Sequence, residues 1–142
     1  MIVDKIREKL DCDILKIETV PYSTDYDTVV NDEQNSERSD FLPEIKEINI
    51  NLDNYDEIIL GTPVWWYRPA PAIRSFLTKD DLSGKTVIPF ATNAGWLGKT
   101  FIGIKNMSPN SNIKNNMNIV FESYSDNLVT NEDEIDNWID NL

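Results

Sequence analysis

Three short apolar runs constrain this chain most: Asn54-Tyr-Asp-Glu-Ile-Ile-Leu-Gly61, Lys85-Thr-Val-Ile-Pro-Phe-Ala-Thr92 and Asn118-Ile-Val-Phe121. Their apolar centres are continuous rather than alternating, the pattern of strands covered on both faces, as in a parallel sheet. Each gap between them holds a helical pattern. Pro69 and Pro71 suit a helix start, and Ile73, Phe76 and Leu77 give that helix an inward face; Thr100 to Met107 reads as the next helix. Two further helices flank the runs. Ile2, Ile6 and Leu10, with Val3 beside them, make Met1 to Leu10 an uncapped amphipathic helix, and Asn131-Glu-Asp-Glu134 is a capping box opening a last helix with Ile135, Trp138, Ile139 and Leu142 on one face. Asp13 to Val20 alternates partly and stops at Pro21, which predicts a fourth strand; Tyr22 to Asp40 is polar and loop-like. Strands separated by helices predict an α/β fold with a parallel sheet. Pro89 cannot donate to a ladder, which argues against a fully central place for its strand.

Length and charge narrow the function. With 142 residues, 40% of them hydrophobic, the chain is the size of a single domain, residues 1–142. Its 13 Lys and Arg stand against 25 Asp and Glu, a formal net charge of -12. Such a field repels nucleic acid and anionic membranes, so a charged partner is expected to be basic. The absence of histidine removes the Ser-His-Asp and Cys-His nucleophile arrangements and the commonest zinc ligand, so no metal and no catalytic side chain are assigned. Chemistry is left to a borrowed cofactor. The single cysteine, Cys12, has no internal disulfide partner and reads as a small buried or half-buried side chain; with no signal peptide or membrane span in the sequence, the cytoplasm is the expected compartment. Asp25, Asp27, Asp32 and Glu33 lack the ordered spacing of a calcium loop and read as a solvated acidic stretch.

The first apolar run ends in Gly61-Thr-Pro-Val-Trp-Trp-Tyr67. Successive strand residues face opposite sides, so Trp65 and Trp66 cannot both enter one core, and at least one ring is left over for another purpose. The run from Tyr55 to Ser111, with YDEIILGTPVWWYRPAPAIRSFL, DLSGKTVIPFATNAGW and GKTFIGIKNMSPNS, resembles the flavodoxin-like proteins, in which one strand ends in a Pro-x-Trp-Trp loop and the next in a Thr-Ser-Gly-Gly-type loop. The loop carrying Tyr22, Asp25, Tyr26 and Glu37 is similar to that family's loop after its second strand.

The resemblance implies a three-layer flavodoxin-like parallel sheet of strand order 2-1-3-4-5, with FMN at the C-terminal ends of the strands. It makes Pro63, Val64, Trp65, Trp66 and Tyr67 one wall of the cofactor site, whose electron-rich indoles disfavour reduced, anionic flavin. Thr92, Asn93, Ala94, Gly95, Trp96 and Gly98 become the other side, with backbone N–H groups reaching the pyrimidine oxygens. Asn93 and Ala94 stand where Ser and Gly are usual in the family, and Trp96 is an added aromatic.

That family opens with an apolar strand and a Thr-Gly-Asn-Thr-like loop holding the FMN phosphate. Met1 to Leu10 matches the interior of its first helix, so the expectation is an N-terminally truncated chain without the first, central strand and with a weakened hold on FMN. In such a sheet the strand at Ile14 to Val20 either faces a gap of roughly 10 Å or shifts to pair directly with Glu57 to Gly61, and Ile2, Ile6 and Leu10 are unusually exposed. The functional expectation is an FMN redox protein, either an electron carrier or a quinone or NAD(P)H reductase. Its alternatives are a non-flavin acidic interaction module and a platform for another planar ligand.

Overall fold

The computed structural model describes residues 1–21 and 42–142. Its elements are helix α1 (Ile2–Leu10), a 3-10 turn at Leu52–Asn54, strands β1 (Glu57–Trp65) and β2 (Arg68–Pro69), helix α2 (Pro71–Lys79), strand β3 (Thr86–Asn93), helix α3 (Thr100–Met107), strands β4 (Asn112–Ile113) and β5 (Met117–Val120), and helix α4 (Glu132–Asp140). Tyr22 to Asp40, with the tyrosines and carboxylates singled out there, lies outside the described residues.

The sheet is parallel apart from β2. Strand β3 pairs with β1 from Glu57↔Thr86 to Pro63↔Thr92, and on its other edge with β4 at Thr86↔Asn112 and Val87↔Ile113 and with β5 from Phe90↔Met117 to Asn93↔Val120. It is therefore central among the described strands. Pro89 is tolerated because β4 and β5 form one interrupted neighbour, and Ile88 and Pro89 fall in the break between them, where that edge asks for no donor. Asn115, at φ +52, turns the chain inside the same break.

Strand alternation sends side chains to two helical layers. On one face Leu60 and Val87 meet Ile73, Phe76 and Leu77 of α2 and Ile104 of α3. On the other, Phe90, Met117 and Ile119 meet Ile2 and Ile6 of α1 and Ile135 and Ile139 of α4. This is the three-layer α/β arrangement expected. Gly61 lies opposite Phe90, and a Cβ there would sit 2.2 Å from the ring, so its lack of a side chain lets the phenyl lie across the strand.

Three expectations need correction. The apolar stripe of α1 is not exposed: Ile2 and Ile6 are 6% and 5% accessible, because α4 packs beside α1 and shares its cluster, while Lys5 Nζ bridges to Asp136 at 3.0 Å and Lys9 Nζ to Asp140 at 2.6 Å. Burial here needs a neighbouring helix as much as a strand. Asp13 to Val20 is not a sheet strand and, among the described residues, does not pair with β1. Only Thr19↔Ile45 forms an antiparallel bridge, through Val20 N–H to the Glu44 carbonyl and Lys46 N–H to the Glu18 carbonyl, each 2.8 Å. Its alternating pattern finds ladder partners only there. Finally, the first apolar run does not stop at Gly61. Strand β1 continues through Trp65 because β2 folds back on it, pairing Val64 with Pro69 and Trp65 with Arg68.

Candidate functional site

The C-terminal ends of β1, β3 and β5 carry three neighbouring loops. After β1, Trp66 and Tyr67 form a two-residue hairpin turn with φ of +51 and +64. Left-handed geometry at both central positions matches the strand twist but usually belongs to Asn and Gly, so two bulky aromatics there cost about 1 to 3 kcal/mol each. Surrounding contacts hold the turn. The Tyr67 carbonyl accepts the Lys99 N–H at 2.9 Å, and Gly98, itself at φ +57, lies so close that a Cβ would fall 2.3 Å from the Tyr67 Cβ. At the hairpin base the Thr62 hydroxyl donates to the Pro63 carbonyl at 2.8 Å and accepts the Ala70 N–H at 3.0 Å, tying β1 to the start of α2.

The loop after β3 is held from the other side. Asn93 Oδ1 accepts the Gly95 N–H at 2.9 Å, its Nδ2 donates to Asn118 Oδ1 at 2.6 Å, and its carbonyl accepts the Phe121 N–H at 2.8 Å. Asn93, which departs from the family pattern, is thus the bracket fixing this loop to β5. The Gly95 N–H is thereby engaged within the loop. The N–H groups of Trp96, Leu97 and Gly98 make no hydrogen bond among the described residues and are the loop's available donors.

These loops leave aromatic surface in water. Trp65, Trp66, Tyr67 and Trp96 are 41%, 38%, 51% and 58% accessible, and none stacks on another ring among the described residues. Of the expected site residues, Pro63, Val64 and Trp65 lie on β1, Thr92 and Asn93 on β3, and Ala94, Gly95, Trp96 and Gly98 in the loop beyond. Thr92 is paired across from Pro63, and the two loops touch at Gly98 and Tyr67. Sequence reading missed Thr62, whose hydroxyl fixes the hairpin, and Tyr124, which is exposed in the third loop at the same end of the sheet. A tyrosine between two serines just beyond an apolar strand was the available signal for the latter.

A depression of about 260 Å³ lies at the opposite end of the strands, between the C-terminal ends of α2 and α3. It is lined by Asp80, Asp81, Ser83 and Asn110 among others and has no aromatic wall, so geometry favours the three loops as the ligand site. No described helix is long and apolar enough to cross a membrane.

The sequence profile of the flavodoxin family matches residues 1–142. No curated protein sequence matches significantly. Among solved structures, a candidate flavoprotein from Bacteroides eggerthii is 26% identical and superposes with a TM-score of 0.74 over 98% of this chain and 86% of that one. One from Bacteroides uniformis, 23% identical, gives 0.74 over 98% and 88%. A flavoprotein from Lactobacillus acidophilus, solved in complex with FMN and 23% identical, gives 0.67 over 82% and 81%.

Proposed function

The chain belongs to the flavodoxin family, and on that premise we propose that it binds FMN at the three-loop end of its sheet and exchanges electrons with a basic partner. The observation that carries this reading is four exposed rings on two touching loops, at the carboxyl ends of adjacent parallel strands. That end is where open α/β sheets bind ligands. The FMN complex of the Lactobacillus acidophilus relative supports the choice of cofactor.

The residues fit a flat, hydrogen-bonding ring. Pro63, Val64, Trp65, Trp66 and Tyr67 supply one apolar wall, and Thr92, Asn93, Ala94, Gly95, Trp96 and Gly98 supply the facing side. Gly95 and Gly98, both at positive φ, keep that backbone free of side chains, so the N–H groups of Trp96, Leu97 and Gly98 can serve the polar edge of the ring. Bound FMN supplies the electron-transfer chemistry. The protein's part is to hold the ring, exclude water from its faces and keep one edge at the surface. The excess of carboxylates favours a carrier with a basic partner over a reductase, because it steers oppositely charged proteins to this surface.

The exposed rings and free N–H groups at this end address the flavin ring, and they carry the affinity. A flavin-fluorescence titration tests both parts. Saturable quenching by FMN and by riboflavin, with dissociation constants within about tenfold of each other, is expected, a gap of roughly 1.4 kcal/mol or less. No quenching by either flavin sinks the cofactor reading, and FMN binding far tighter than riboflavin overturns the ring-dominated one.

A further inference from the structure

The loop after β5 contains a residue that neither the fold nor the ring site explains. Phe121 and Leu128 form an antiparallel bridge, and the Glu122 N–H donates to the Asn127 carbonyl at 2.9 Å, closing a short protrusion. Inside it, the Asn127 N–H donates to Ser125 Oγ at 3.0 Å and Asn127 Nδ2 to Glu122 Oε2 at 2.9 Å. At the tip stands Tyr124, 108% accessible and at φ +59. Its ring buries nothing, and its backbone adopts a conformation that Gly or Asn would take at lower cost. Folding gains nothing from a tyrosine here. Tyrosine is, however, a side chain with which interfaces are anchored: large, rigid and polar at one end. Val129, just beyond the base of the protrusion and bonded to the Val120 carbonyl, is itself 60% accessible.

The surroundings define the partner. From Asn115 to Leu142 the chain has seven carboxylates and no lysine or arginine. Among them, Glu122 and Asp126 flank Tyr124, and exposed Glu132, Asp133 and Glu134 open α4 just beyond. An apolar centre inside an acidic rim is complementary to a protein whose lysines and arginines surround an apolar contact. The Phe121 N–H bonds to the Asn93 carbonyl, so this protrusion stands directly beside the loop bearing Trp96.

We propose that the protrusion from Phe121 to Leu128, with Tyr124 as its anchor and the acidic start of α4 as its rim, is the docking surface for a basic protein partner. The proposal deepens the electron-exchange reading by locating its partner, and it is tested on the flavin-free chain so that failure of flavin binding and failure of docking are read separately. The probe is cytochrome c, a basic protein, titrated at low ionic strength while backbone amide shifts of the chain are followed by NMR. The largest shifts are expected between Glu122 and Glu134, with affinity falling as salt is added. Tyr124→Gly leaves the charge unchanged and relieves the left-handed residue, so its melting temperature should equal or exceed that of the parent while binding weakens about tenfold. Asp126→Asn should flatten the salt dependence. Shifts centred on another surface, or a Tyr124→Gly chain that binds like the parent, would overturn the proposal.

Discussion

Trp138 lies half-buried on α4, its ring 5.8 Å from Phe90 at 66° and its Nε1–H donating to the Asn115 carbonyl at 2.6 Å. Trp66 is exposed at the apex of the hairpin after β1, in a conformation tryptophan seldom adopts. The same substitution should therefore read differently at the two sites. Trp138→Ala removes buried area, an edge-to-face contact and a hydrogen bond, and should lower stability by about 2 to 4 kcal/mol with FMN affinity little changed. Trp66→Ala should change stability by only about 0.5 kcal/mol and weaken FMN by about 1 to 3 kcal/mol, the usual worth of one aromatic face against a planar ring. Urea melts and flavin titrations of both variants check the pair. An exchange of the two phenotypes would place the flavin on the wrong aromatic cluster.

At the scale of elements, α1 is held by the helix at the far end of the sequence. Because Ile6 is buried in the cluster shared with α4, Ile6→Ala should cost about 2 to 4 kcal/mol, whereas an exposed stripe would cost almost nothing. A denaturation midpoint unchanged by this substitution would contradict the packing. The segment after α1 is tied down differently, by the Tyr55 hydroxyl donating to the Asp13 carboxylate. That hydrogen bond, aided by burial, raises the phenol above its ordinary value. A group whose folded pKa is raised contributes stability that is fully present below its unfolded value, near pH 10, and is lost as pH climbs through the folded one. Stability should accordingly fall on the alkaline side of about pH 10, and Tyr55→Phe should make that limb shallower without altering the neutral range's slope. An identical alkaline limb in the variant would remove Tyr55 from the account.

For the whole molecule, charge sets the larger effect. The ion pairs Lys5–Asp136, Lys9–Asp140 and Lys114–Glu57 are all partly or largely exposed, and pairs of this kind contribute about 0 to 1 kcal/mol each. Against them stands the mutual repulsion of a chain with net charge -12. Added salt screens both, and the repulsion is the greater, so the melting temperature should rise between low ionic strength and about 0.2 M salt. Calorimetry at two salt concentrations decides this. A falling melting temperature would mean that the surface pairs outweigh the net charge.

Much of the architecture was legible locally. Helix α3 occupies the predicted Thr100 to Met107, Pro71 opens α2 in the first helical position, and Asn131 caps α4 by accepting the Asp133 N–H at 2.9 Å. Capping and periodicity act within a few residues, so the amino-acid order alone determines them. Two loops on either side of a planar ring were expected from a resemblance of motifs, and strand alternation left at least one ring over; that the loops touch at Gly98 and Tyr67 came from the fold. Tertiary structure decided the rest. Whether Asp13 to Val20 becomes a strand depends on an available ladder edge, whether α1 is buried depends on α4, and whether Pro89 can sit in a central strand depends on where its neighbour breaks. Left-handed geometry at Trp66, Tyr67 and Tyr124 contradicts the preference of those residues and is imposed by contacts with the chain around them. Each of these outcomes turns on a partner group supplied by folding, and periodicity within one segment carries no information about that partner.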